Sequence, residues 1–403
     1  MTIRYYHDDP MLHAERQLQR LARFAQALDA AAFQAAIVTA PRDLFYLTGS
    51  AQPCNLLVTP GHEPLLCARR FGEQVRCEVP FLDVVVDASI ANIRRRLGAL
   101  GSDRGSLGLA LDVLPARVAS RIGRELPDMQ VDDYSPILLS QRMIKDESEI
   151  QALRDAAGLF SAAHEAVMTH AAPGVAENEL SGEVARALRR AGHEGHVFYR
   201  RWDAALQPEG LLVSGSNLAR MSGHSHTITG TGLSPALPFG ASRRVLDDGD
   251  LIVLDVGLNR AGYHADIART YALGHATDEA LELADAMVAI FEACRRAARP
   301  DVPAEALYEQ AVGLCRERGL EEFFQGYGSE RGTYVGHGVG LELDEPPVLA
   351  AGVETPLAAA MTLAIEPKVI SPGFGGVDVE DTVLVTPTGG ERIGPVEPKL
   401  FVI

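Results

Sequence analysis

Four carboxylates and one imidazole in the C-terminal half of this chain have the types and spacing of a metal-binding set: Asp255, Asp266, His337, Glu366 and Glu380. Asp255 lies in the apolar run Leu251 to Leu258, which reads as a buried strand. Asp266 lies in the return run from Tyr263 to Leu273, after the turn cluster Asn259-Arg260-Ala261-Gly262. Counting outward from the midpoint between Arg260 and Ala261 predicts that the two aspartates face each other, with Cβ atoms about 5 Å apart. A second hairpin repeats the pattern. Glu366, in the strand from Met361, and Glu380, in the return from Val377 to Thr386, are equidistant from Gly373, with Ile370 to Gly376 as a Pro- and Gly-rich loop. Between the hairpins, His337 is bracketed by Gly336, Gly338 and Gly340, which let backbone or a ligand approach closely.

Bare carboxylates in an apolar sheet repel one another and are costly to desolvate, and a bound cation is the simplest compensation. The structural alternative for the first hairpin is an aspartate that caps the turn or pairs with Arg269. An oxygen-rich set with a single nitrogen suits Mn²⁺, the ion expected here, or Co²⁺, Fe²⁺ or Zn²⁺, over a thiolate-bound metal. Four carboxylates balance two divalent ions and leave a place for a bridging hydroxide, the arrangement of two-metal hydrolytic sites.

These residues stand in motifs that resemble the "pita-bread" metallopeptidases, in the branch of creatinase, prolidase and the Xaa-Pro aminopeptidases. The matching pieces are Asp255, Gly262-Tyr263 through Asp266 with Arg269-Thr270, Gly336-His337-Gly338 with Gly340, Ile365-Glu366-Pro367, and Val379-Glu380-Asp381. The front of the chain, with Tyr46-Leu47-Thr48-Gly49, resembles the N-terminal domain of the same branch. The resemblance implies an α/β domain over residues 1–140. It implies an α+β pita-bread domain over residues 141–403, with a curved, mainly antiparallel sheet and pseudo-two-fold helix pairs. It further implies that Asp255 and Asp266 hold one metal, His337 and Glu366 the other, and that Asp266 and Glu380 bridge them. Glu366 would also shuttle a proton. The implied activity is attack of a metal-bridged hydroxide on the C–N bond of a short peptide or small amide, in an aminopeptidase-type homodimer. A creatinase-like amidinohydrolase or a lyase is the alternative on this fold. A metal-free binding module is a third, against which the intact ligand set argues.

Three positions depart from the Xaa-Pro-cleaving members. They carry a second histidine where Asp344 stands, an upstream histidine in the region that here reads Ala236 to Gly240, and an arginine in place of Asp378. Each change removes a cationic or hydrogen-donating group near the substrate carbonyl, and the two aspartates add negative charge that favours a cationic substrate. Ser214-Gly215-Ser216-Asn217 resembles the family segment that leads into the upstream histidine. An apparent insertion, Leu218 to Pro235, follows it and contains His224 and His226. Either is a candidate replacement donor, with Asp344 orienting it or holding it protonated; the alternative is a polar surface loop.

Residues 13–32 read as an amphipathic helix, and strands are expected near 35–39, 55–59, 64–67, 81–86, 107–111 and from 131. Helices at 90–100 and 115–125 alternate with them, as in an α/β domain, and no catalytic constellation falls there. The stretch from Ser135 to Glu147 reads as a junction. Beyond it the pattern predicts one long helix from Glu147 to Ala171, then helices at 177–191, 278–298 and 304–318, the last stopping at Gly319. The chain has 403 residues and a formal charge of −17, which argues against a broad nucleic-acid surface. No stretch approaches the ~18 apolar residues of a membrane span. Five cysteines without CxxC spacing suggest buried thiols in a reducing, cytoplasmic setting.

Overall fold

The computed structural model describes residues 10–201, 206–222 and 228–403. The chain forms two compact units, one of residues 10–142 with Arg200 and Arg201, the other of 143–199 and 206–403. In the first unit a six-stranded sheet runs in the spatial order Asp83–Val85, Leu65–Ala68, Cys54–Val58, Phe33–Val38, Gly105–Leu109, Met129–Asp133. It is antiparallel only where Cys54–Val58 meets its two neighbours. Ile90, Ile93 and Leu97 of one helix and Ile122 of another bury against Ala35, Ile37, Leu57 and Leu107, which gives the α/β core that the alternating pattern predicts.

Two segments of this unit differ from expectation. Gly72–Glu78 is a short helix, and the supposed junction is helical over Ser135–Met143. The second case has a clear cause. Arg142 is buried at the end of that helix and donates to Asp43 at 2.9 Å, while Arg200 reaches the same carboxylate at 2.8 Å and the Tyr134 hydroxyl donates to it at 3.2 Å. Four of the five cysteines are buried and Cys77 is exposed, so the expectation of buried thiols fails at that one position.

The second unit opens with Asp146, whose side chain accepts from the Ser148 and Glu149 amides while Glu149 returns to the Asp146 amide, a reciprocal cap. The single helix expected from Glu147 is two, Glu147–Gly158 and Phe160–His170. The break follows Gly158, a weak helix former, and the Leu159 amide bonds back to Ala156 at 3.0 Å. Strands Leu211–Ser214, Leu251–Arg260, Tyr263–Ala272 and Phe401–Val402 make one sheet. Glu345–Ala350, Tyr334–Gly338, Thr362–Ile365, Asp381–Thr386 and Gly389–Arg392 make another. Lys368–Ser371 and Gly375–Asp378 form a two-stranded ribbon. Every pairing in this unit is antiparallel except that of Phe401–Val402.

Two helix pairs, Phe160–His170 with Glu177–Ala191 and Asp278–Ala297 with Ala304–Glu317, pack on these strands. Ile252, Leu254, Val256 and Leu258 bury toward the first pair and Val253 toward the second, as a period of two requires. Asp255 therefore shares the face of Val253, and Asp266 that of Ala268 and Thr270.

Candidate metal centre

The first hairpin turns on two residues only. Ala261 and Gly262 both have positive φ, 54° and 79°, as a tight primed turn demands, and Arg260 pairs with Tyr263. This moves the centre of the hairpin one position later than Asn259–Gly262 suggests. Asp255 consequently faces Ala268, and Asp266 faces Gly257, so the expected directly opposed pair is diagonal. The slip in partner is two residues, an even number, and both carboxylates keep the same face.

The second hairpin has the predicted register. Ile365 pairs with Asp381 and Lys368 with Asp378, which places Glu366 across from Glu380 between them. Its loop is shorter than expected, because Ile370 pairs with Gly376 and Ser371 with Gly375. The two hairpins meet where the Glu380 and Ala268 backbones exchange hydrogen bonds at 3.2 and 3.3 Å. Thr382 donates its hydroxyl to the Asp266 carbonyl at 3.0 Å and accepts the Asp266 amide at 2.8 Å, fixing that residue from the second hairpin. Arg269 does not pair with either metal-site aspartate. It donates to the Glu380 carbonyl at 2.5 Å and to Asp381 at 2.6 Å.

His337 sits in a strand paired on both sides, opposite Ala364 and Val348. The bracketing glycines serve this packing. A Cβ on Gly336 would collide with the Ala364 carbonyl oxygen, one on Gly338 with that of Pro346, and one on Gly340 would lie 2.6 Å from Glu345. The His337 Nδ1 lies 3.0 Å from the Gly338 carbonyl oxygen, so Nδ1 carries a proton and Nε2 points at the carboxylates. Nε2 is 3.2 Å from Asp344, 3.7 Å from Glu366 and 3.9 Å from Asp266.

One oxygen each of Asp266 and Glu380 and a ring nitrogen of His337 all lie within 4.8 Å of one another, and all three residues are buried. Asp255 and Glu366 are buried beside them. Burial, and then the Asp255 charge, push the Asp266 carboxyl well above the usual carboxylate range; burial and then Asp266 do the same to Glu380. Burial alone would lower the His337 imidazole, but Asp344, Glu366 and Asp266 outweigh it and raise it to about 9. Asp266 Oδ1 is buried without a hydrogen-bond partner. Crowded, partly unsatisfied carboxylates of this kind fit a divalent cation, which accepts oxygen donors and reverses the repulsion.

Asp344 stands on His337, and its side chain is 40% exposed. His224 and His226 lie outside the described residues. The buried Glu177 accepts from Ser214, Asn217 and Ser242 at 2.6–2.9 Å.

Sequence reasoning missed Lys368. Its Nζ lies 2.5 Å from Glu366 Oε2 and 3.2 Å from Asp378 Oδ2, so the charge that Asp378 adds is met by a cation on the opposing strand. The register of the second hairpin held the signal, because it pairs Lys368 with Asp378. Tyr334 was also missed. Burial, and then the Glu366 charge, hold its phenol well above the ordinary range, so its hydroxyl stays protonated near the cluster.

Residues 151–387 match the model of metallopeptidase family M24, and residues 20–144 that of the creatinase/prolidase N-terminal domain. The chain belongs to metallopeptidase family M24. It is similar to a probable dipeptidase PepE of Mycobacterium tuberculosis, 30% identical over 296 residues that span 73% of this chain and 68% of the relative. An Xaa-Pro dipeptidase of Pyrococcus furiosus is 26% identical over 388 residues, 95% of this chain and 99% of that one. The solved structure of an Xaa-Pro dipeptidase from Bacillus anthracis superposes with a TM-score of 0.82 at 25% identity, covering 96% of this chain and all of the other. As an M24 protein with a creatinase-type N-terminal domain, this chain is a metal-dependent hydrolase of the peptidase type.

Proposed function

We propose that this M24 protein is a dinuclear metallopeptidase that cleaves short peptides with a free N-terminus. The observation that carries the reading is the buried cluster of Asp255, Asp266, Glu366 and Glu380 with His337, in which burial first, and then neighbouring carboxylates, raise Asp266 and Glu380. Asp255 and Asp266 would hold one ion and His337 and Glu366 the other, with Asp266 and Glu380 shared between them. When bound, the ions supply an activated water and a Lewis acid for the substrate carbonyl, and Mn²⁺ suits this donor set. Glu366, which stands beside His337 and is ion-paired to Lys368, would take the proton of the attacking water and pass it to the leaving amine. Asp344, the half-open acidic group, supports recognition of a substrate ammonium.

The test is elemental analysis of protein reconstituted with excess Mn²⁺, Co²⁺, Fe²⁺ or Zn²⁺, followed by a panel of dipeptides, Xaa-Pro dipeptides and guanidino substrates. Two ions per chain and dipeptide hydrolysis are expected. Protein that binds none of these metals overturns the reading, and turnover of guanidino compounds alone would select the amidinohydrolase alternative.

We also infer a cytoplasmic homodimer. Four buried, unpaired thiols suit a reducing compartment, and no helix among the described residues is long and apolar enough to cross a membrane. Among the described residues of the N-terminal unit no catalytic constellation is found, which suits a pairing or substrate-shaping role. Sedimentation at micromolar concentration should give twice the 43.3 kDa chain mass; a 43.3 kDa species alone counts against pairing.

A further inference from the structure

The cation beside the acidic cluster sits on a strand where the sequence shows only a Pro-Lys step. Lys368 follows Glu366 by two residues, so both side chains leave the same face of the ribbon, as do Asp378 and Glu380 on the opposing strand. The four side chains thus form two successive cross-strand pairs, Glu366 with Glu380 and Lys368 with Asp378. The Lys368 and Asp378 side chains are 1% and 0% exposed. Their backbones are clamped from both sides. Gln325 donates its amide to the Lys368 carbonyl and its side chain to the Glu366 carbonyl, each at 2.9 Å. Thr270 exchanges hydrogen bonds with the amide and the carbonyl of Asp378, each at 2.9 Å.

The consequence falls on Glu366. Lys368 Nζ takes its Oε2 at 2.5 Å, and its Oε1 is the oxygen turned toward His337 Nε2 at 3.7 Å. A carboxylate held by one oxygen in this way has a single orientation to offer an ion at the other. Replacing an outer partner that orients a ligand typically costs about 10- to 100-fold in metal affinity or activity.

We propose that Lys368 and Asp378 are a built-in charge couple of this site, in which the ammonium fixes Glu366 for metal binding and replaces the cation that Xaa-Pro-cleaving relatives place where Asp378 stands. Lys368 is a positioning residue; Asp378 anchors it and offsets its charge, so the couple orients Glu366 without changing the net charge of the site. The inference rests on the metal-centre reading above.

The experiment is calorimetric titration of metal-free protein with Mn²⁺ for the wild type, Asp378→Asn, Lys368→Met and the double variant, with thermal unfolding of each. Lys368→Met leaves Asp378 buried without its cation and is expected to unfold at a markedly lower temperature. The double variant removes both charges together, regains most of that loss, and so reports on Glu366 and not on net charge. Its Mn²⁺ affinity at the site that includes His337 should be about 10- to 100-fold weaker than wild type. Asp378→Asn keeps the ammonium on Glu366 and should lose less than the double variant. A folded double variant that binds Mn²⁺ as tightly as the wild type overturns the proposal and leaves Lys368 as no more than the buried partner of Asp378. A wild type that binds no Mn²⁺ overturns the metal centre itself, and this inference with it.

Discussion

Asp266 and His337 meet the same cluster from different strands, and their losses should not be equal. Asp266 has one oxygen 3.9 Å from His337 Nε2 and the other buried without a hydrogen-bond partner, so both are available to ions. Glu380 stands in the same group, whereas His337 offers only Nε2 because Nδ1 is engaged by the Gly338 carbonyl. Asp266→Ala and Glu380→Ala are therefore expected to lose most of the metal at both positions. His337→Ala should lose the equivalent of one ion, as measured by elemental analysis after dialysis. Equal losses in all three would remove the shared role of the two carboxylates. A second prediction at this scale concerns His224 and His226. A donor aimed at a developing oxyanion is typically worth ~10²–10³ in rate, and the histidine at the place of Asp344 is missing. Replacing whichever of His224 and His226 takes over that task should lower turnover by about that factor while bound metal is unchanged. Xaa-Pro peptides cleaved at full rate by both variants would exclude the role.

The ribbons and strands that carry these residues were legible to different depths. Helices with strong periodicity and terminal signals stood out, such as Glu177–Ala191 before Gly192 and Ala304–Glu317 before Gly319. The second hairpin could be registered from its glycine-centred symmetry. The first could not, because its turn depends on Ala261, a non-glycine residue in the left-handed region that composition does not reveal. Lys368 lies between the strand read up to Pro367 and the Pro- and Gly-rich stretch Ile370 to Gly376, so it reads as the edge of a loop, although the ribbon is paired from Lys368–Asp378 to Ser371–Gly375. The glycines around His337 were legible as close-approach positions, but not what approaches, which is neighbouring-strand backbone at Gly336 and Gly338 and the Glu345 carboxylate at Gly340. Gly338→Ala would drive a Cβ into the Pro346 and Glu345 carbonyls, neither of which is a flexible side-chain end. Overpacking of this kind costs roughly 1–3 kcal/mol, to be read from urea unfolding of metal-free protein. Gly352→Ala tests a different demand, since its Cβ would meet nothing but its φ of 78° still disfavours alanine. Equal stability of the Gly338 variant and the wild type would mean that the strand spacing around His337 is looser than described.

At the scale of the whole molecule the acidic cluster makes stability depend on pH, and its sign follows from which state holds more protons. Asp266 and Glu380 are raised chiefly by burial and by their carboxylate neighbours, and Asp378 is pushed up from 3.8 to about 7 by burial against the opposing pull of Lys368. Between the ordinary carboxylate range and neutral pH, the metal-free folded chain therefore keeps protons that the unfolded chain has released. Stability from these groups is present at the acid end and is lost as pH rises. His337, raised from 6.5 to about 9, has the same sign over a higher window, because its proton is held more tightly folded than unfolded. The contribution of these groups to the unfolding temperature of metal-free protein should consequently fall as pH rises from about 5 to about 9, opposed below the ordinary histidine value by His164 and His193, whose imidazoles burial lowers. Ions take the place of these protons, so binding releases them and strengthens as pH rises. The gain in unfolding temperature on adding saturating Mn²⁺ is thus expected to be small near pH 5 and to grow through pH 8, and scanning calorimetry across that series measures it directly. A gain that stays constant over the series would mean that the buried carboxylates are already ionised in the metal-free chain, and that something other than bound protons balances their charge.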